Sequence, residues 1–296
     1  MKPEIAGLIE LSRFYGNNNE YVIAGGGNTS YKDGQTIWIK ASGQPLATLN
    51  ESGLVALNRE KLHLISEKQY SDDPTVREDQ VKTDMFNSII DKNQNLRPSV
   101  ETSLHNLIRY TFVVHLHSTL VNGILCSRNA RNLVKQLFGD KALFVPYIDP
   151  GYTLFKKLES EILKYRADLH SDPQIILLEN HGSFVSADSA DEVRKIYEEV
   201  LSAISNHIGS TDKIEVLPFN PVLCKALPAL RMLLSGDKSK VIRYRNNSLI
   251  AKYYQNQMEF HKISLPLTPD IIVYCKTRYL FIEQSSTPEK ILESAR

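Results

Sequence analysis

Residues 100–120 read VETSLHNLIRYTFVVHLHSTL and hold three of the chain's eight histidines. The stretch predicts a short helix over 100–110 that runs into a buried strand over 111–117, TFVVHLH. Alternate residues of a strand point to one face, so His115 and His117 project side by side. Ser118 and Thr119 follow, then Asn122-Gly123, so the strand gives out there, at the edge or mouth of its sheet. Two imidazoles so placed can ligate one divalent ion, with zinc the usual choice for nitrogen ligands, or can be ordinary hydrogen-bonded histidines. A metal needs a third ligand. His181 offers one, because it also ends an apolar strand, QIILLENHG, at a turn before Gly182. Three histidines with the fourth position open describe a catalytic zinc site rather than a structural one.

Glu101 has two readings. Pro98-Ser99 predicts a helix start with Ser99 as N-cap, and a glutamate in the first turn then complements the helix dipole. Alternatively Glu101 faces the metal pocket and transfers a proton there, its carboxylate tuned by the cation. His105 lies one turn on, on the same helix face, and is assigned a supporting role.

Outward from this stretch, helices and strands alternate. Ile5, Leu8, Ile9, Leu11 and Tyr15 give a first helix its core-facing stripe. YVIAGGGNTSYKDGQTIWIKASG, residues 21–43, reads as a hairpin turning at Asp33-Gly34. Helices are predicted over 79–93 and, after the turn VPYIDPG, over 153–166. Ser189 and Glu192 form a capping box for a long helix that faces Val193, Ile196, Tyr197, Val200, Leu201 and Ile204 inward. Beyond the prolines of 216–221 the character changes. A helix near 222–235 precedes a second hairpin, VIRYR and SLIAKYY around Asn246-Asn247, and two strand candidates, IIVYCK and RYLFIE. The class is α/β or α+β, with a boundary near residue 213.

The glycine run GGGNTS, residues 25–30, has neither the following GK[ST] of a P-loop nor GxGxxG spacing before a helix. It can be a flexible strand entry. A two-residue turn at Asp33-Gly34 would set Gly25 opposite Ser42, crowding Gly26, Gly27, Asn28, Ser42 and Gly43 at one end of the hairpin. Exposed amides and small hydroxyls suit a phosphate there, held without a helix dipole or many charges.

Composition sets the outer limits. The 296 residues suffice for a large domain with an extension, and 35 lysines and arginines nearly balance 34 acidic residues. No long-range field therefore favours nucleic acid or an acidic membrane. Cys126, Cys224 and Cys275 form no CxxC pair, which argues against disulfides or a thiolate zinc site. The N-terminal helix is interrupted by Glu4, Glu10 and Arg13, unlike a signal peptide, and no apolar run approaches the roughly 20 residues of a membrane span. A soluble, cytoplasmic globular protein is expected.

Taken together, GGGNTSYK, Ser42-Gly43, RPSVETSLH, HLH and ENHG resemble, in this order, the class II (zinc-dependent) aldolase/adducin family. The resemblance is nearest to the rhamnulose-1-phosphate aldolase portion of bifunctional aldolase–dehydrogenases and extends to the tail, where PDIIVYCKTR resembles a PDHxxxxK segment. It implies a three-layer α/β/α fold around a mainly antiparallel sheet over 1–213, followed by an α+β extension over 214–296. It further implies that His115, His117 and His181 ligate Zn2+ and that Glu101 is the catalytic acid/base. Asn28, Ser42, Gly43 and Ser99 fall at the phosphate-binding positions. The implied reaction is cleavage of a phosphorylated ketose to dihydroxyacetone phosphate and an aldehyde, in a homotetramer with active sites between subunits. The tyrosine that related fuculose-phosphate aldolases take from a neighbouring subunit falls at Gln136 here, leaving Tyr147 and Tyr152 as substitutes. No dehydrogenase segment occurs before Arg296, so no NAD chemistry is expected. Epimerases of the same fold usually carry aspartate in place of Glu101, dehydratases keep the three histidines, and adducin-like interaction modules lack them.

Overall fold

Alternating apolar residues build the centre of the molecule. Seven strands pair into one sheet: β1 (Asn28–Lys32), β2 (Thr36–Lys40), β3 (Leu54–Asn58), β4 (Phe112–Leu116), β5 (Ala142–Val145), β6 (Ile175–Leu178) and β7 (Gly182–Ala187). Their spatial order in the computed structural model is β3-β2-β1-β4-β7-β6-β5, antiparallel throughout except for β5 and β6. The structure describes residues 2–209, 213–277, 279–283 and 286–295.

Each face of the sheet is covered, which is why β4, β6 and β7 are buried along their whole length. On one face Ile37, Ile39, Val113, Ile176 and Phe184 meet four helices: α2 (Arg59–Glu67), α3 (Pro74–Asn87), α4 (Thr102–Leu107) and α7 (Tyr152–Leu169). On the other, Tyr31, Val114, Leu116 and Val185 meet α1 (Pro3–Gly16) and α8 (Ala190–Ile208). Leu177 and Ile175 on that face meet α8 together with α5 (Thr119–Leu125) and α6 (Ala130–Phe138). Each such side chain contributes roughly 1.5–3 kcal/mol by leaving water. The result is the expected three-layer α/β/α arrangement. On α8 the predicted inward residues Val193, Tyr197, Val200 and Ile204 are buried, and the Ser189 hydroxyl caps the helix by accepting from the Glu192 N–H at 3.2 Å.

Several boundaries differ from expectation for local reasons. The helix predicted over 79–93 starts at Pro74, because Asp73 accepts the Val76 N–H at 2.9 Å and Pro74 presets the first turn. In the first hairpin Tyr31 pairs with Trp38 and Lys32 with Ile37, so the turn is centred on Gly34-Gln35. Asp33 stands before the turn and its carboxylate accepts the N–H groups of Gln35 and Thr36. The same register carries Ser42 to the level of Gly27, not Gly25.

The chain divides into two compact units, Met1–Gly209 and Ser210–Arg296. The described part of the second unit is helical where strands were expected. It contains α9 (Pro221–Ser235), α10 (Ser248–Tyr253), α11 (Gln257–His261) and α12 (Pro288–Ser294), with one isolated bridge between Val216 and Asn247. The Asn246-Asn247 hairpin is absent because the Asn247 side chain accepts the Ile250 N–H at 2.8 Å and starts α10. IIVYC forms a π-helical turn, and no strand forms over 279–283; Arg278, which opens the RYLFIE run, lies outside the described residues. Among the described residues no helix is long and apolar enough to cross a membrane.

Candidate active site

Strand register assembles the site. In β4, Val113 and His115 point to the α4 face while Phe112, Val114 and Leu116 fill the opposite core. His115 pairs with Asn28 of β1 on one side and with Phe184 of β7 on the other, and its ring stacks on Phe184 at 4.2 Å. His117 follows the last residue of β4, where the ladder ends. His181 is delivered by the tight β6–β7 turn, in which Asn180 takes a left-handed φ of 55°. Gly182 is required at the end of that turn. A Cβ there would sit 2.5 Å from the Leu116 carbonyl oxygen and 2.7 Å from the His117 ring.

The three imidazoles therefore converge, and their ligand atoms all lie within 4.8 Å of one another. His115 Nε2 is 3.0 Å from His117 Nε2, and Glu101 Oε1 is 3.2 Å from the Nε2 atoms of both His115 and His181. His115 Nδ1 lies 3.1 Å from the Ser183 carbonyl oxygen. This donor set fits a divalent cation. Burial lowers the His115 pKa to about 4 despite the nearby Glu101, so the ring is neutral and carries a single proton. That proton satisfies Ser183, which leaves the Nε2 lone pair facing a carboxylate and two further imidazoles. A cation at the convergence resolves this excess of acceptors. Burial pushes the Glu101 carboxyl up, and positive charge on the Nε2 side of His115 and His181, from a proton or a cation, is what holds it well below its ordinary range.

Glu101 itself is the residue that precedes α4, and its side chain makes no capping bond. It turns to the histidines instead, and Ser99 stands two residues too early to be the N-cap. Ser99 Oγ accepts the Glu101 N–H at 3.3 Å and shapes the turn that aims the carboxylate. Asn28 Nδ2 donates to Glu101 Oε2 at 2.5 Å and to Ser99 Oγ at 3.3 Å. Asn28, Ser99, Glu101 and the three histidines thus form one connected group. Ser42 and Gly43 stand exposed at the turn after β2, tied to the Ser99 segment through the Ser42 N–H, which donates to the Arg97 carbonyl at 2.8 Å. A cavity of about 570 Å³ opens beside this turn, lined by Ser42, Arg97, Pro98, Val100, Ser103 and residues of α3 and α7.

Two features escaped the sequence reading. Lys40, the last residue of β2, is 3% exposed and donates to the Gln44 carbonyl at 2.8 Å. Burial lowers its pKa to about 8, against the opposing pull of Glu101, so a cation does stand beside the Ser42-Gly43 turn. A lysine closing an apolar strand just before Ser-Gly was the available signal. The second feature is the engagement of Asn28 with His105 as well as Glu101. As for the tyrosines, Tyr147 donates to Asp149 at 3.1 Å, Tyr152 packs against Tyr70 and Phe155, and Gln136 lies exposed on α6.

Residues 6–207 match the family described as Class II Aldolase and Adducin N-terminal domain. Among solved structures, the N-terminal class II aldolase domain of a conserved Thermoplasma acidophilum protein is similar with a TM-score of 0.59 at 23% identity, over 71% of this chain and 95% of that one. An L-fuculose-1-phosphate aldolase from Thermus thermophilus is similar with a TM-score of 0.44 at 14% identity, over 69% and 93% of the two chains. In Bacillus subtilis (strain 168), the uncharacterised oxidoreductase YuxG is 23% identical over 93% of this chain, which spans 42% of YuxG's length. With a match over more than half of its length and the sheet, helices and histidine cluster described above, the chain belongs to the class II aldolase and adducin family.

Proposed function

We propose that the protein is a zinc-dependent aldolase that cleaves a ketose 1-phosphate, rhamnulose 1-phosphate or a close analogue, to dihydroxyacetone phosphate and an aldehyde. The observation that carries this reading is Glu101 Oε1 at 3.2 Å from two of the three convergent imidazoles. His115, His117 and His181 would hold the ion through their Nε2 atoms. When bound, the ion supplies Lewis-acid stabilisation of the negative charge that develops on substrate oxygens.

The remaining work falls to the chain's own groups. Cleavage of the C3–C4 bond turns the C4 hydroxyl into the aldehyde carbonyl, releasing its proton, and leaves an electron pair on C3 that must take a proton up. Glu101, a carboxylate at rest, would accept a proton released in the site and pass it to C3 in cleavage, and would remove it from C3 in the synthetic direction. Asn28 steadies the far carboxylate oxygen, so the near one stays on the histidine side. Ser42, Gly43 and Ser99 receive the phosphate beside an Asn28 amide already committed to Glu101, Ser99 and His105, and the Lys40 ammonium offsets part of the phosphate's charge in a buried setting where Coulomb attraction is poorly screened.

An aldolase assay over a panel of ketose 1-phosphates, coupled to detection of dihydroxyacetone phosphate, tests the reading. Release that depends on added zinc and is abolished by chelation is expected. A zinc-loaded protein that epimerises or dehydrates its sugar phosphate without breaking a carbon–carbon bond would replace it.

A further inference from the structure

We propose that His105 is a positioning residue: it sets the orientation of the Asn28 side-chain amide and, through it, holds the Glu101 carboxylate toward the three histidines. The kinetic part of this inference rests on the aldolase reading; the structural part does not.

Asn28, Ser30 and Lys32 alternate along β1 onto the face that meets α4, where His105 is fully buried. All three touch His105. Its Nδ1 lies 2.7 Å from Ser30 Oγ, its Nε2 is hydrogen-bonded to Asn28 Oδ1, and its carbonyl accepts from Lys32 Nζ at 3.0 Å. Phe184 packs edge-on against the ring. Burial, with His115 and Lys32 adding to it, holds the His105 pKa well below the ordinary value against the pull of Glu101, so the ring carries one proton. Only two tautomers are then available.

With the proton on Nε2, the ring donates to Asn28 Oδ1 and the Ser30 hydroxyl donates to Nδ1. The Asn28 amide must then present its NH2 to Glu101 Oε2, at 2.5 Å, and to Ser99 Oγ. With the proton on Nδ1, the Nε2 lone pair would call for the NH2 group instead. That would turn Oδ1 onto a carboxylate oxygen inside a buried site, two acceptors facing each other with no proton between them. The tautomer of His105 is therefore coupled to the direction of the carboxylate. Lys32, 3% exposed, fixes the backbone of His105, and burial holds the pKa of its own ammonium well below the ordinary value. The chain Lys32–His105–Asn28–Glu101 runs beneath the site and meets it at two points, through Glu101 and through Asn28, the cross-strand partner of His115.

The test has an arm independent of activity. Nitrogen-15 NMR of the imidazoles in the protein as purified should show His105 neutral and protonated on Nε2 at pH 7; an Nδ1-protonated or doubly protonated ring overturns the proposal. For kinetics, His105→Ala should lower kcat by about 10-fold or more, the loss of one aligned hydrogen bond to a charged centre. His105→Gln, whose amide can still donate to Asn28 Oδ1, should recover most of that loss. In an Asn28→Ala background, adding His105→Ala should change kcat by less than about two-fold, because a residue that acts through Asn28 has nothing further to lose. Multiplying effects in the double variant, with Asn28→Ala and His105→Ala each folded and zinc-loaded, overturn it. If His105→Ala does not fold, the tautomer and His105→Gln decide. If no aldolase activity is found in the parent protein, that removes the proposed function and leaves the tautomer assignment standing or falling by itself.

Discussion

Gly182 is pressed against His117: a Cβ on the glycine would lie 2.7 Å from the imidazole's Cδ2 and 2.5 Å from the Leu116 carbonyl oxygen. One contact is with backbone at the end of β4, so the strain cannot be relieved by a side-chain rotation. Gly182→Ala should therefore displace the β6–β7 turn and with it His181. A loss of about 1–3 kcal/mol in stability is expected from overpacking, with metal affinity down about 10–100-fold from the displaced ligand. Denaturant melts and zinc titration measure the two; an alanine variant with unchanged metal affinity would show that the glycine does not define the site.

His117→Ala tests the ligand set. His117 sits beyond the last ladder pair of β4 and is half-buried, unlike the buried His115. Its removal should abolish stoichiometric zinc and activity and leave circular dichroism unchanged. Full metal content measured by atomic absorption would remove His117 from the ligand set.

Glu101→Gln separates proton transfer from binding. The amide keeps the shape of the carboxylate but does not exchange a proton, so kcat should fall by roughly 100-fold or more while zinc is retained. Turnover near that of the parent would return Glu101 to a passive role at the start of α4.

Lys40 should trade stability for function. Its pKa falls from an ordinary 10.5 to about 8 on folding because the ammonium is buried. Between those two values the unfolded chain binds more protons than the folded one, so this group makes stability rise with pH across that window. Below it the full cost of burying the charge is present. Lys40→Met should thus raise stability by about 1–3 kcal/mol at pH 7, after the unpaired Gln44 carbonyl is counted. The gain should vanish above about pH 10.5, where the lysine is neutral in both states. The same substitution should raise KM for a phosphorylated substrate several-fold. A variant no more stable at pH 7 than at pH 11, compared with the parent at each pH, would contradict this.

A homotetramer is predicted, on the resemblance to cyclic class II aldolases whose sites lie between subunits. Tyr147 and Tyr152 are engaged elsewhere in their own subunit, with Asp149 and with Tyr70 and Phe155, so a tyrosyl proton donor would come from a neighbouring copy. Light scattering should give four chains, with activity lost on dilution. A fully active monomer would place the whole catalytic set within one chain.

The amphipathic helices of the first unit and the buried strands β4 and β6 were legible because burial imposes a period on local sequence, and residues such as Val113, Val114, Ile176 and Leu178 carry it plainly. The histidine cluster was legible for a related reason: His115, His117 and His181 all sit at the ends of such strands. The Asn247 signal was ambiguous, because one property, an amide side chain accepting a backbone N–H, suits both a hairpin turn and a helix cap. Short apolar runs such as IIVYC likewise fit strand or helix until packing chooses.

What local spacing alone determined was therefore the alternation of helices and strands and the identity of three histidines; the three-layer arrangement was implied by the family resemblance. Tertiary structure decided which groups meet. Asn28 and His115 are cross-strand partners, Lys40 is buried at the site's rim, and His105 of α4 rests on β1, and each of these contacts depends on register and layer packing between segments far apart in the chain. Local periodicity says which way a side chain points; only the pairing of distant backbones determines what it meets there.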